Sequence, residues 1–130
     1  MLKQMWLRMI YPQGAFMLIT AAIIIFIIAA LFGSVILTAI LRDRPTPKPF
    51  VIIHGPLAAT AIMLLIIDVV KGHTESLLIA SLVIFIIAGL GGFAIYTLDS
   101  LKKRIPKPLA ILHPLIAVAG LIVLIIYALQ

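Results

Sequence analysis

His54 and His113 stand 59 residues apart in two versions of one segment. Residues 47–58 read Pro-Lys-Pro-Phe-Val-Ile-Ile-His-Gly-Pro-Leu-Ala, and residues 106–117 read Pro-Lys-Pro-Leu-Ala-Ile-Leu-His-Pro-Leu-Ile-Ala. The same offset aligns the run at 23–28 with that at 82–87, and Gly33 with Gly92. A fixed-period match of this kind marks a tandem duplication of one supersecondary unit. Duplication puts the two imidazoles at matching positions in halves that face each other. Neutral imidazole is a metal ligand, and two of them on opposite faces of one macrocycle are the axial ligands of a haem b. The expectation is one haem b per chain, with His54 and His113 as its iron ligands. A zinc or copper ion would want a third or fourth ligand, and only Asp99 and the loop residue Asp43 offer carboxylates near that end. A structural or proton-handling role for the pair is the alternative.

The elements that must position these residues are apolar throughout. Of 130 residues 65% are hydrophobic and 11% charged, and the mean hydropathy is +1.33, so a soluble domain of this size could not hide the apolar surface. Four apolar runs, about 15–41, 50–70, 75–100 and 109–129, each supply the ~20 residues that cross a bilayer core of ~30 Å. Ile and Val are frequent in them, but run length and the lack of period-2 alternation favour helices, as does the need to satisfy every backbone group in lipid. The fold class is therefore all-α: an integral membrane four-helix bundle of two tandem parallel helical hairpins, with a short N-terminal interfacial helix. Residues 1–130 form a single transmembrane domain, with repeat 1 at about 15–70, repeat 2 at about 74–129 and an interfacial segment at 1–13. In that segment Leu2, Met5, Trp6, Met9 and Ile10 fall on one helical face, and Tyr11-Pro12-Gln13-Gly14 breaks it from the first span. The first run is too long for the core of a signal peptide and is expected to stay.

The connectors punctuate this plan. Three prolines lie in 42–49 and two in 102–108, and they stop one helix and open the next. Gly72 suits a helix C-terminus, and Thr74-Glu75 the N-terminus that follows. The two proline-rich connectors carry seven Lys and Arg (Arg42, Arg44, Lys48, Lys102, Lys103, Arg104 and Lys107), against Lys3, Arg8 and Lys71 on the other side. The positive-inside rule then puts those connectors in the cytoplasm and both termini outside, most simply in a bacterial inner membrane. The net charge of +6 is read as topology and contact with anionic lipid, not as nucleic-acid binding. There is no cysteine, which removes disulfides, iron–sulfur clusters and thiolate ligands.

Around the histidines the residue types suit a flat cofactor. His54 lies five residues after Pro49 and His113 five after Pro108, so each sits ~7–8 Å below its loop. Ala58, Ala61, Ala117 and Gly120 lie on the same helical faces and leave room. Thr38 and Thr97, also related by the repeat, could accept an imidazole N–H. Lys48 and Lys107 could pair with propionates. Ala29-xxx-Gly33 and Ala88-xxx-Gly92 read as small-residue helix contacts. His73, beside Lys71 and Glu75, is expected to be solvated; Asp68, near the end of the second span, is a functional candidate as an intramembrane acid, with simple reach to the interface as the alternative. No nucleotide-binding glycine motif, nucleophile triad or paired catalytic carboxylate is present.

His113-Pro114-Leu115-Ile116-Ala117-Val118-Ala119-Gly120 resembles the His-Pro-Leu segment that opens a haem-bearing helix in the cytochrome b-561 group, and His54-Gly55-Pro56-Leu57-Ala58 is similar to its looser variants. The resemblance covers the two histidine helices, roughly a third of the chain. It implies a membrane four-helix bundle that binds haem b through histidines and moves single electrons. Members of that group generally carry two haems and four intramembrane histidines, whereas two histidines at one depth allow one haem here.

The function expected is electron transfer with a quinone, a flavoprotein or another redox protein, as an electron carrier or redox-complex subunit and not a stand-alone enzyme. Other membrane subunits or a homo-oligomer are the expected surroundings. The rivals are a non-redox structural subunit and a small transporter or channel, the latter disfavoured by spans whose middles are almost entirely Ile, Leu, Ala and Val. The topology has a direct test. Cysteines introduced at Thr46 and Gln130 should label from opposite sides of sealed vesicles. Labelling from one side would refute the hairpin plan, and exchanged sides would refute only the orientation.

Overall fold

Each apolar run forms one helix, and each proline-rich or glycine-containing connector ends one. The computed structural model describes the backbone of the chain and the side chains of residues 1–3, 5 and 14–130. Helix α1 spans Leu2–Leu41, α2 Lys48–Val70, α3 Ser76–Ser100 and α4 Lys107–Ala128. All four are long and apolar enough to cross a membrane, α1 over Gly14–Leu41. No strand occurs among the described residues. The protein is an all-helical, four-helix membrane bundle.

The helix ends follow from local chemistry. Lys48-Pro49 and Lys107-Pro108 open α2 and α4, where a proline costs no hydrogen bond because the first N–H groups have no intrahelical partner. The C-termini of α1, α2 and α3 close with the same pair of bonds. Arg44 N–H donates to Ala39 O and Asp43 N–H to Ile40 O. Lys103 N–H donates to Leu98 O and Lys102 N–H to Asp99 O. At the end of α2, His73 N–H donates to Asp68 O and Gly72 N–H to Val69 O. This Schellman pattern needs a left-handed residue. Gly72 supplies it at φ +104°, while Asp43 and Lys102, related by the repeat, adopt φ 53° and 54° without a glycine's freedom. Glu75 occupies the N-cap of α3 without a side-chain cap.

One expectation changes. A single helix, Leu2–Leu41, stands where the sequence suggested a separate interfacial helix and a break at 11–14. The apolar face expected to hold Trp6, and Tyr11 at headgroup level, lies outside the described side chains.

The helices form a square. α1 packs chiefly on α2 and α3 on α4, and α1–α4 and α2–α3 contacts close the ring, leaving α1 facing α3 and α2 facing α4 across the diagonals. Each helix turns one stripe inward. On α1 and α3 the stripes are Ile19, Ala22, Phe26 and Ala29, and Leu78, Ser81, Phe85 and Ala88, matched position by position at the repeat offset. On α2 and α4 they include Ala61 and Leu65, and Gly120 and Leu124. The opposite faces expose Ile24, Leu31, Ile52, Leu90, Phe93 and Ile122 to lipid.

Phe26 and Phe85 meet across the α1–α3 diagonal with centroids 3.7 Å apart and planes within 5°. A side chain on Gly120 would meet Ile84 at 3.1 Å and Phe85 at 3.4 Å. The absent side chain is therefore what admits this ring. At the loop end the repeats clasp each other: Lys48 Nζ lies 3.3 Å from Asp99 Oδ2 and Lys107 Nζ 2.8 Å from Asp43 Oδ2. Thr46 Oγ1 also donates to Asp99, at 2.7 Å. Lys107 holds the Asp43 carboxyl below its usual range, first through the hydrogen bond and then through its charge.

Because packing rather than water drives helix association in lipid, the stacked pair should dominate stability at mid-depth. Phe26→Ala should cost about 3 kcal/mol, the low end for phenylalanine in a core, and Phe26→Leu clearly less. Reversible unfolding in bicelles measures both, and equal losses in the two variants would contradict a stacking role.

Candidate functional site

His54 and His113 both lie on inward stripes. His54 precedes Ala61, Leu65 and Asp68 at helical spacing on α2, and His113 precedes Gly120 and Leu124 on α4. Their rings face each other across the α2–α4 diagonal, with centroids 6.2 Å apart and planes at 84°. Both imidazoles are partly buried.

Each ring is fixed by the helix beside it. His54 Nδ1–H donates to the Ala29 carbonyl at 2.8 Å, and His113 Nδ1–H donates to the Ala88 carbonyl at 2.8 Å, each across 25 residues of sequence. A carbonyl can only accept, so Nδ1 carries the hydrogen, and the neutral ring keeps its lone pair on Nε2. The residues that permit this bond are Gly33 and Gly92. Each lies four positions beyond the accepting carbonyl, where a side chain would cover it. A Cβ at Gly33 would lie 2.9 Å from His54 Cε1, and one at Gly92 the same 2.9 Å from His113 Cε1. The two small-xxx-small motifs thus do more than let helices approach. They open a helix carbonyl and a notch for an imidazole.

The other candidates divide. Ala58 and Ala117 are half-buried beside the histidines, as the spacing predicts. Gly120 is buried but filled by Phe85 and Ile84, so its space belongs to the aromatic layer. Thr38 and Thr97 are exposed and donate to the Ser34 and Phe93 carbonyls one turn back, each at 2.8 Å. They are not the imidazole partners. In a helix a threonine hydroxyl reaches the preceding turn more readily than a neighbouring helix, and the helix carbonyls take the role expected of it. Lys48 and Lys107, expected to face propionates, are held by Asp99 and Asp43. Sequence reasoning missed Gly33 and Gly92 as site residues, although both were aligned by the repeat.

A metal–imidazole bond is ~2.0–2.1 Å long, so two imidazoles sharing one metal bring their ring centroids to roughly 6 Å. Crossed ring planes are compatible with that sharing. No group of three or more His, Cys, Asp or Glu able to hold a metal ion occurs among the described residues. Two imidazoles alone fall short of the three or four protein ligands that a zinc or copper site uses.

At the opposite end, Asp68 is fully buried instead of reaching the interface, and its Oδ1 lies 3.0 Å from His73 Nδ1. His73 is accordingly only partly solvated; its side chain is 21% exposed.

No known protein family, curated protein or solved structure matches the chain.

The notch makes a specific demand. Gly33→Ala or Gly92→Ala should push the facing imidazole off its carbonyl by a few tenths of an ångström and destabilise the bundle by about 1–3 kcal/mol, as overpacking does. Nitrogen NMR of the labelled rings should show a changed Nδ1 environment. Gly55→Ala, whose added Cβ meets nothing within 4 Å, should leave the rings as they are. An unshifted His54 signal in Gly33→Ala would contradict the notch.

Proposed function

We propose that this protein is a haem-binding membrane electron-transfer protein, carrying one haem b between α2 and α4. His54 and His113 would hold it, each through the Nε2 that its Nδ1–H bond leaves free. The observation that carries this reading is the pair itself: two repeat-related imidazoles, each oriented by an Nδ1–H bond to a helix carbonyl, with ring centroids 6.2 Å apart. A bound haem supplies one-electron chemistry at its iron.

The chain's own residues do the rest. The carbonyls of Ala29 and Ala88 fix the tautomer and raise the basicity of each ring, the usual task of groups bonded to metal-ligating histidine. Phe26 and Phe85 close the bundle on the side away from the loops and keep water out. The Lys48–Asp99 and Lys107–Asp43 pairs hold the two repeats together above it. Both histidines lie near the basic loops, so exchange is with a quinone, a flavoprotein or another redox subunit reached from that side, which the positive-inside rule places in the cytoplasm of a bacterial cell. Crossing the whole ~30 Å core would need a further centre from a partner subunit or a second copy. The partial likeness to the cytochrome b-561 group supports the same reading.

The purified protein should show the spectrum of a low-spin bis-histidine haem in its oxidised and reduced forms. His54→Ala and His113→Ala should each abolish that spectrum while the protein still inserts in the membrane. A wild type without the spectrum, or single variants that retain it, would sink the assignment and leave the imidazoles as pins between helices.

A further inference from the structure

The end of the bundle away from the basic loops holds a second, asymmetric site. Asp68 has no exposure, and its Oδ2 is buried with no hydrogen-bond partner among the described residues. The chain folds back over it. The turn at Gly72 brings the His73 backbone N–H to the Asp68 carbonyl and His73 Nδ1 to within 3.0 Å of Asp68 Oδ1. Among the described residues, the ionisable groups facing the carboxyl are His73 and Lys71 of the connector, Glu75 at the start of α3, and Tyr127 of α4. Tyr127 donates to Glu75 Oε2 at 3.2 Å. Residues 14–19, the described part of α1 at this end, include no ionisable group.

An ionised carboxylate in this position is expensive. It has left water, one oxygen is unsatisfied, and the surroundings are helix and lipid. The neutral acid removes most of that cost. We propose that Asp68 stores a proton and that His73 exchanges it with the aqueous phase on the side opposite the basic loops. In the stored state the proton lies between Asp68 Oδ1 and His73 Nδ1. Release breaks the O–H bond as an N–H bond forms at Nδ1, leaving a carboxylate and an imidazolium. The imidazolium then gives its Nε2 proton to water, and the unsatisfied carboxylate drives the return. This inference does not rest on the haem reading. Its observations are the buried orphan oxygen and the histidine folded onto its partner oxygen.

Infrared spectroscopy of the protein in phosphatidylcholine vesicles tests it. At neutral pH the wild type should show a protonated carboxyl stretch that is absent from Asp68→Asn, present but shifted in Asp68→Glu, and unchanged in Asp43→Asn and Asp99→Asn. A positioned proton-transferring side chain is worth about 100-fold or more, so His73→Gln should keep the band but slow its shift in deuterated buffer by about that factor. A wild type lacking the band, or a band that survives in Asp68→Asn, would overturn the storage site. Equally fast exchange in His73→Gln would overturn the role of His73. Because Asp68→Glu keeps the acid, its retained band against the loss in Asp68→Asn carries the assignment even where the asparagine variant folds poorly.

Discussion

The arrangement depends on one hydrogen bond made twice: an imidazole N–H to a helix carbonyl that already accepts from its own helix. In lipid a side-chain donor without a partner is costly, and the carbonyls of neighbouring helices are the acceptors at hand. Each such oxygen has a second lone pair, but the side chain four residues on normally covers it. Glycine at 33 and 92 removes that cover. The bond then fixes how α2 sits against α1, and α4 against α3. It fixes the rotamer and tautomer of each ring, and the depth at which the rings meet. On each ring Nε2 keeps its lone pair.

The same economy runs down the axis. Where one diagonal contributes a large ring, the other contributes a small residue. At the histidine level α2 and α4 supply the rings and α1 and α3 supply Gly33 and Gly92. One layer deeper the roles exchange: α1 and α3 supply the stacked Phe26 and Phe85, and Gly120 of α4 gives way. Close packing in a four-helix square requires this alternation, because four large side chains cannot share one level at interior density. Ala61 occupies the repeat-related position of Gly120 and is fully buried. Of the small residues downstream of the histidines, Gly120 thus gives its space to Phe85 and Ile84.

Much of the fold was legible because lipid leaves few choices. The four spans, the duplication, the proline-opened helices and Gly72 as a helix end all followed from run length and local chemistry. The histidine pair was legible because two copies of a polar residue stood in otherwise apolar helices at the repeat offset. The neighbours of that pair were not. Thr38 and Thr97 look like imidazole partners by depth and symmetry, but a hydroxyl in a helix bonds to the preceding turn. The true partners are backbone carbonyls, which sequence does not label; only the glycine four residues later hints at them. Lys48 and Lys107 were placed correctly at the loop ends, yet their acidic partners lie in the opposite repeat, and that pairing depends on how the hairpins dock. For Asp68 the position near the helix end left water as one reading, whereas the glycine turn brings His73 back over the buried carboxyl.

The two ends of the bundle differ in a way that duplication makes intelligible. A site on the pseudo-twofold axis takes one residue from each half, so both copies are needed: His54 with His113, Phe26 with Phe85. A site off the axis is complete within one half, and its counterpart is at liberty to become something else. Asp68 and its counterpart Tyr127 fit that pattern. One is a buried acid capped by His73, and the other reaches across to Glu75. The axial residues are therefore the ones whose loss from either half should disable a shared centre. The divergence at the far end makes the two halves inequivalent around the axis, because identical copies related by an axis along the membrane normal would present two equivalent acids or none.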